Sequence, residues 1–122
     1  MMRTIFLLLT IGISGCVSKQ ESASLDYKIN DTVFHLSQFC IERFVPKEEN
    51  QTIFIKVKDN SDCSYPLDHL LRENIGKTVT VFFNGNLVFK NTRIITPIIT
   101  GNGFYQAVES KDMFDKVVNS FN

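Results

Sequence analysis

The chain has 122 residues, with 13 basic and 13 acidic side chains, two histidines, three cysteines, eleven phenylalanines and no tryptophan. Balanced charge without a basic stripe argues against nucleic acid as a partner. The length suits one domain with a modest core, and no internal repeat or low-complexity stretch appears.

In chain order, Arg3 gives a short positive head, Ile5 to Ile13 form an apolar run broken by Thr10 and Gly12, and small residues follow at Ser14 and Gly15. This pattern predicts a secretory signal; the run is well short of the about 20 apolar residues that span a bilayer. Ile13-Ser14-Gly15-Cys16 resembles the bacterial lipobox. The resemblance implies removal of residues 1–15 and acylation of Cys16, palmitate included, as the first mature residue. Several acyl chains on one residue make a firm anchor, where a single chain binds only marginally. Val17 rather than Asp follows the cysteine, which resembles the outer-membrane sorting pattern of Gram-negative lipoproteins. The expected product is lipid-anchored in the cell envelope and faces the periplasm. It has 107 residues and a charge near −1, with residues 16–24 as lipidated cysteine and flexible tether and residues 25–122 as one domain.

Residues 33–45 are rich in apolar residues without a helical period. Phe34 and Leu36 would share one strand face and Phe39 and Ile41 the other, so a bulge or break is expected near Ser37-Gln38. Pro46 to Gln51 reads as a polar loop. Ile53, Ile55 and Val57 alternate with Phe54, Lys56 and Lys58 as in a half-buried strand. Asp59 to Asp62 is a turn, and a helix follows with Pro66 at its first position and Asp68 near its positive end. Leu67, Leu70, Leu71 and Ile75 form its apolar face, and Gly76 ends it. Thr78 to Phe83 is the next strand, Asn84-Gly85 a hairpin turn, and Leu87 and Phe89 lie on the return strand. Ile94 to Ile99 is β-branched but holds Pro97, so an edge, a bulge or two short pieces are expected. Gly101-Asn102-Gly103 turns the chain into a short strand from Phe104 to Val108. Ser110 caps a final helix whose Phe114, Val117, Val118 and Phe121 make one stripe. The expected fold is α+β, a small, largely antiparallel sheet with two helices packed on one face.

With Cys16 assigned to lipid, Cys40 and Cys63 remain. An oxidising compartment favours a disulfide between them. The alternatives are two buried free thiols, or a metal site with His35 and His69, for which no short ligand spacing exists. No nucleophile elbow, phosphate-binding loop or zinc-protease helix occurs. Glu48 and Glu49 form a solvated loop pair, and Glu109, Asp112 and Asp115 flank the last helix. No enzyme activity, metal or cofactor is expected.

The run from Leu70-Leu71 and Asn74-Ile75-Gly76-Lys77 continues through Thr78-Val79-Thr80-Val81-Phe82-Phe83, Asn84-Gly85 and Leu87-Val88-Phe89. It then reaches Ile94-Ile95-Thr96-Pro97-Ile98-Ile99, the glycines 101 and 103, and a closing helix. This order resembles the head subdomain of the first periplasmic domain of SecD, an accessory subunit of the Sec export machinery, with residues 32–58 supplying the preceding strands. The resemblance implies the same α+β fold and non-enzymatic binding of a protein or peptide in the periplasm. It does not extend to transmembrane segments or a base subdomain, and the family does not require a Cys40–Cys63 pair. Pro97 at a sheet edge and the aromatic pair Phe104 and Tyr105 are the candidate contact residues. A toxin-immunity or phage-exclusion lipoprotein is the alternative reading, suited by small size, lipid anchor and disulfide.

Overall fold

The computed structural model describes residues 23–121; the signal-peptide and Cys16 expectations lie outside them. Strand β1 spans Ser24–Ile29, β2 Thr32–Ser37, β3 Ile41–Lys47 and β4 Thr52–Val57. Helix α1 is Ser64–Arg72, β5 is Thr78–Phe83, β6 Asn86–Arg93, β7 Phe104–Ala107, and α2 Lys111–Phe121. The class is α+β, and every strand pairing is antiparallel. The strands divide into two sheets, one ordered β2-β1-β5-β6 and one ordered β3-β4-β7.

Alternation sets which face is buried. Leu25, Tyr27 and Ile29 of β1 point inward, as do Val79, Val81 and Phe83 of β5 and Ile53, Ile55 and Val57 of β4. These faces merge into one core cluster that also takes Leu67 and Leu71 from α1 and Phe114, Val117 and Phe121 from α2. Phe121 joins the sheets: its ring stacks on Phe44 of β3 at 4.9 Å and tilts against Phe83 of β5 at 6.1 Å.

The break expected near Ser37-Gln38 is a 3₁₀ turn over Gln38–Cys40 that carries the chain from one sheet to the other. It sends Phe39 into solvent at 70% exposure, so Phe39 does not share a face with the core-packed Ile41. β3 runs on through Pro46 to Lys47, where the sequence pattern suggests a loop. This proline is tolerated because β3 is an edge strand. Cys40 and Cys63 form a disulfide.

Helix α1 begins two residues before Pro66, at Ser64. Asn60 winds the turn ahead of it, its Oδ1 accepting from the amides of Asp62 and Cys63 at 3.0 and 2.9 Å. Pro66 still falls among the first four helical residues, whose amides have no partner within the helix. The helix stops at Arg72, and Asn74 Nδ2 donates to the Leu70 carbonyl at 2.7 Å. Ile75 therefore lies beyond the helix and is 43% exposed, off the apolar face expected for it. Asn84 and Gly85 both take positive φ, as a tight hairpin requires. Ser110 caps α2, its Oγ accepting from the Met113 amide at 3.2 Å.

Ile94 to Ile99 forms no strand. Ile94 is held by its amide to the Lys77 carbonyl at 2.9 Å and by the Gly76 amide to its own carbonyl at 2.7 Å. Beyond it Pro97 offers no donor for a ladder, and the chain crosses as an irregular strap to a 3₁₀ turn at Thr100–Asn102. Asp68 of α1 pins that turn, accepting from the Thr100 amide at 2.9 Å and its hydroxyl at 2.6 Å.

Candidate functional site: a cleft beside the free edge of β7

Where β6 and β7 diverge, they leave a cleft of about 370 Å³. Leu67 and Leu71 of α1, Tyr27 of β1 and Val79 and Val81 of β5 line it on the core side. Phe89 of β6, Ile94 and Ile98 of the strap and Phe104 of β7 complete an apolar wall. The two sheets meet at one end of the cleft through consecutive amides. Val108 N–H donates to the Gln51 carbonyl at 3.0 Å, and Glu109 N–H to the Val88 carbonyl at 2.8 Å.

One polar pair sits in the cleft. The Tyr27 hydroxyl donates to Gln106 Oε1 at 2.8 Å, and Gln106 Nε2 donates to the Ala107 carbonyl at 2.9 Å. Burial pushes the Tyr27 phenol far above its ordinary range, so it remains a neutral donor. Tyr27, Arg93 and Tyr105 are the ionisable residues lining the cleft. Arg93 is engaged, its Nη1 donating to the Gly76 carbonyl at 2.6 Å.

The margin of the cleft is a sheet edge. β7 pairs with β4 on one side only. Val108 directs its amide to the three-stranded sheet and Glu109 directs its own away. By the alternation of an antiparallel strand, Phe104 and Gln106 face β4, while Tyr105 and Ala107 turn their N–H and C=O groups to the open side. Among the described residues no strand pairs with them there. The opposite edge of this sheet, β3, is interrupted by Pro46 and by a register shift between Ile41 and Arg43. Both devices discourage pairing.

The candidate contact residues are thus partly assembled. Phe104 lines the cleft and meets Tyr27 edge-on at 6.2 Å. Tyr105 also borders the cleft, but its ring turns to the outer face and packs on Phe54 at 5.2 Å, leaving it 64% exposed. The two aromatics therefore do not form one patch. Pro97 is exposed in the strap, between the lining residues Thr96 and Ile98. On the outer face Arg43 lies 5.9 Å from the Phe54 ring centre. Gly103, at φ +96°, lies against that ring where an added Cβ would collide with it. His35 and His69 are exposed and line no part of the cleft; His35 Nδ1 lies 2.6 Å from Asp26 Oδ1. Among the described residues no group of three or more His, Cys, Asp or Glu side chains is placed to hold a metal.

Sequence reasoning missed Tyr27 and Gln106 as site residues. A signal existed: Tyr27 alternates with Leu25 and Ile29, and Gln106 falls at an inward position of a short strand. No family model, curated protein or solved structure matches this chain. The likeness to the SecD head therefore rests on the residues quoted for it.

Proposed function

We propose that this chain is a lipid-anchored bacterial envelope protein whose domain binds an extended segment of a protein or peptide in the periplasm, without catalysis. The observation that carries the reading is the free edge of β7 at the margin of an apolar cleft. An incoming segment adds as a strand, pairing with the outward amide and carbonyl of Tyr105 and the outward amide of Ala107, whose carbonyl already accepts from Gln106 Nε2; strand addition draws affinity from backbone bonds and specificity from alternate side-chain pockets. An apolar side chain of the segment enters between Phe104 and Ile98, and the next faces the outer surface beside Tyr105. The Cys40–Cys63 disulfide fits an oxidising compartment. The Ile13-Ser14-Gly15-Cys16 pattern supports the anchor.

The test is a crosslinking pull-down of the full-length protein from native membranes, with Cys16→Ser as the anchor control and Ala107→Pro as the edge variant. Proline at 107 removes an amide that faces away from β4, so the existing ladder keeps its bonds. Ala107→Pro is expected to lose the crosslinked chains at least about tenfold while keeping its thermal midpoint, since strand addition depends on backbone donors. Undiminished capture by a folded Ala107→Pro protein would remove the edge from the mechanism. Recovery of many unrelated exported chains supports a chaperone-like role. A single dedicated partner turns the reading to immunity or exclusion.

A further inference from the structure

Two of the exposed aromatic side chains, Phe39 and Tyr65, lie near the point where the chain enters the domain. The Ala23 carbonyl accepts from the Gln38 amide at 3.0 Å, which fixes the entry point beside the Gln38–Cys40 turn. That turn presents Phe39 at 70% exposure, with the Lys58 ammonium 4.5 Å from its ring centre. The disulfide ties the turn to the start of α1, where Tyr65 is 57% exposed. Two exposed aromatics thus flank a cross-linked, rigid piece of backbone next to Ala23. Asp59 and Asp62 are exposed acids of the adjoining turn; Asp59 also accepts from Ser64 Oγ at 3.0 Å and packs against Gly101.

From these contacts we infer that this end is a membrane-facing surface, with Phe39 and Tyr65 seated in the headgroup layer of the bilayer that carries the anchor. The inference rests on the proposed acylation of Cys16. Six residues, 17–22, separate Cys16 from Ala23. Fully extended, that length keeps Ala23 within about 25 Å of the acylated residue. Tyrosine favours the membrane–water interface, and phenylalanine buries its ring at the headgroup–acyl boundary. Lys58 holds its ammonium over the Phe39 ring, which sets a positive charge beside that ring at the level of lipid phosphates. With Lys58 set against Asp59 and Asp62 the adjoining turn carries no excess of positive charge, so the contact is chiefly aromatic and does not depend on anionic lipid. The geometry also orients the four-stranded sheet. Leu25 pairs with Phe83, and Lys28 with Thr80, so the Thr78–Arg93 end of the four-stranded sheet lies opposite the entry end. The Ile94–Ile99 strap leaves from that far end, which places Ile95 away from the lipid.

The absence of tryptophan makes the test direct. Phe39→Trp, Tyr65→Trp and Ile95→Trp each place a single tryptophan at an exposed position. The full-length acylated proteins are reconstituted in vesicles of phosphatidylethanolamine and phosphatidylglycerol whose acyl chains are brominated close to the headgroup. Phe39→Trp and Tyr65→Trp are expected to shift to the blue, and bromine to quench them about twofold, as for rings at headgroup depth. Ile95→Trp is expected to stay unquenched and open to iodide. Mass spectrometry of the N-terminal peptide reads acylation separately. If the acylated, vesicle-bound Phe39→Trp and Tyr65→Trp proteins emit as they do in buffer, the docking surface is overturned and the anchor stands. A Cys16 peptide without acyl mass overturns both.

Discussion

Tyr27 is the residue on which two sheets and the cleft converge. Its ring lies in the core, it meets Phe104 edge-on, and its hydroxyl serves the buried Gln106 amide. Removing that hydroxyl leaves the Gln106 carbonyl without its donor, so Tyr27→Phe is expected to cost about 1–2 kcal/mol near neutral pH. The pH dependence has a definite sign. The unfolded phenol releases its proton near 10.0, whereas burial keeps the folded one protonated well above that. Its contribution is fully present below the unfolded value and is lost as pH rises above it, because the unfolded state alone then ionises. The slope is about 1.4 kcal/mol per pH unit. Urea titrations from about pH 8 to about pH 11 should show wild type losing stability above the unfolded phenol value faster than Tyr27→Phe. Identical slopes would mean that Tyr27 is not the group responsible.

Among the elements, the Gln38–Cys40 turn has the most consequences. It breaks one apolar segment into strands of two different sheets, and the disulfide fastens it to α1. In the chain-entropy account, a closed loop of this size stabilises by about 3 kcal/mol. Cys40→Ala with Cys63→Ala should lose roughly that amount in urea denaturation. Hydrogen exchange should rise first in residues 38–40 and the first turn of α1, while the β5–β6 hairpin stays protected. Uniform exchange, or no change in stability, would show that the bond does not restrain this junction. The break at Ser37-Gln38 was legible because Phe34, Leu36, Phe39 and Ile41 cannot keep one alternation. β4, β5, the Asn84-Gly85 hairpin and α2 were legible because each carries one strong period or turn signal. β1 was not legible as a strand, although Leu25, Tyr27 and Ile29 alternate and Asn30-Asp31 makes the turn into β2, Asn30 at positive φ. Six residues beside the expected tether offered little else to read. The start of α1 differs from its sequence expectation because Asn60 side-chain bonds, rather than Pro66, set it. The Ile94–Ile99 strap looked like strand material because β-branched content is a local signal, while its course depends on distant partners at Lys77 and Gly76.

At the scale of the molecule, the cleft follows from how two sheets are joined. They are fastened by α2, through Phe121 on Phe44 and Phe83, and by the consecutive amides of Val108 and Glu109. Glu109 also closes the edge of β6, its Oε2 accepting from the Lys90 amide at 3.1 Å. Away from this join β6 and β7 separate, and the strap and α1 fill only part of the space between them. The division into two sheets was not legible in the sequence, because alternation shows which residues of a strand are buried and is silent about its neighbours. The candidate site was legible only at Phe104, Tyr105 and the Pro97 strap, since the cleft exists only once Tyr27, Leu71 and Gln106 are brought together. If the join holds the sheets as one unit, removing the Phe121 ring should weaken both together. Phe121→Ala is expected to cost about 3 kcal/mol, the lower end of the range for a buried phenylalanine because the residue closes a helix. Far-ultraviolet circular dichroism follows the helices and strands, and near-ultraviolet dichroism of the tyrosines follows packing in both sheets. Coincident transitions at a lower midpoint would mark a single cooperative body. A transition that splits, with one sheet melting first, would mean that Val108 and Glu109 alone do not couple the halves, and that the cleft opens whenever α2 loosens.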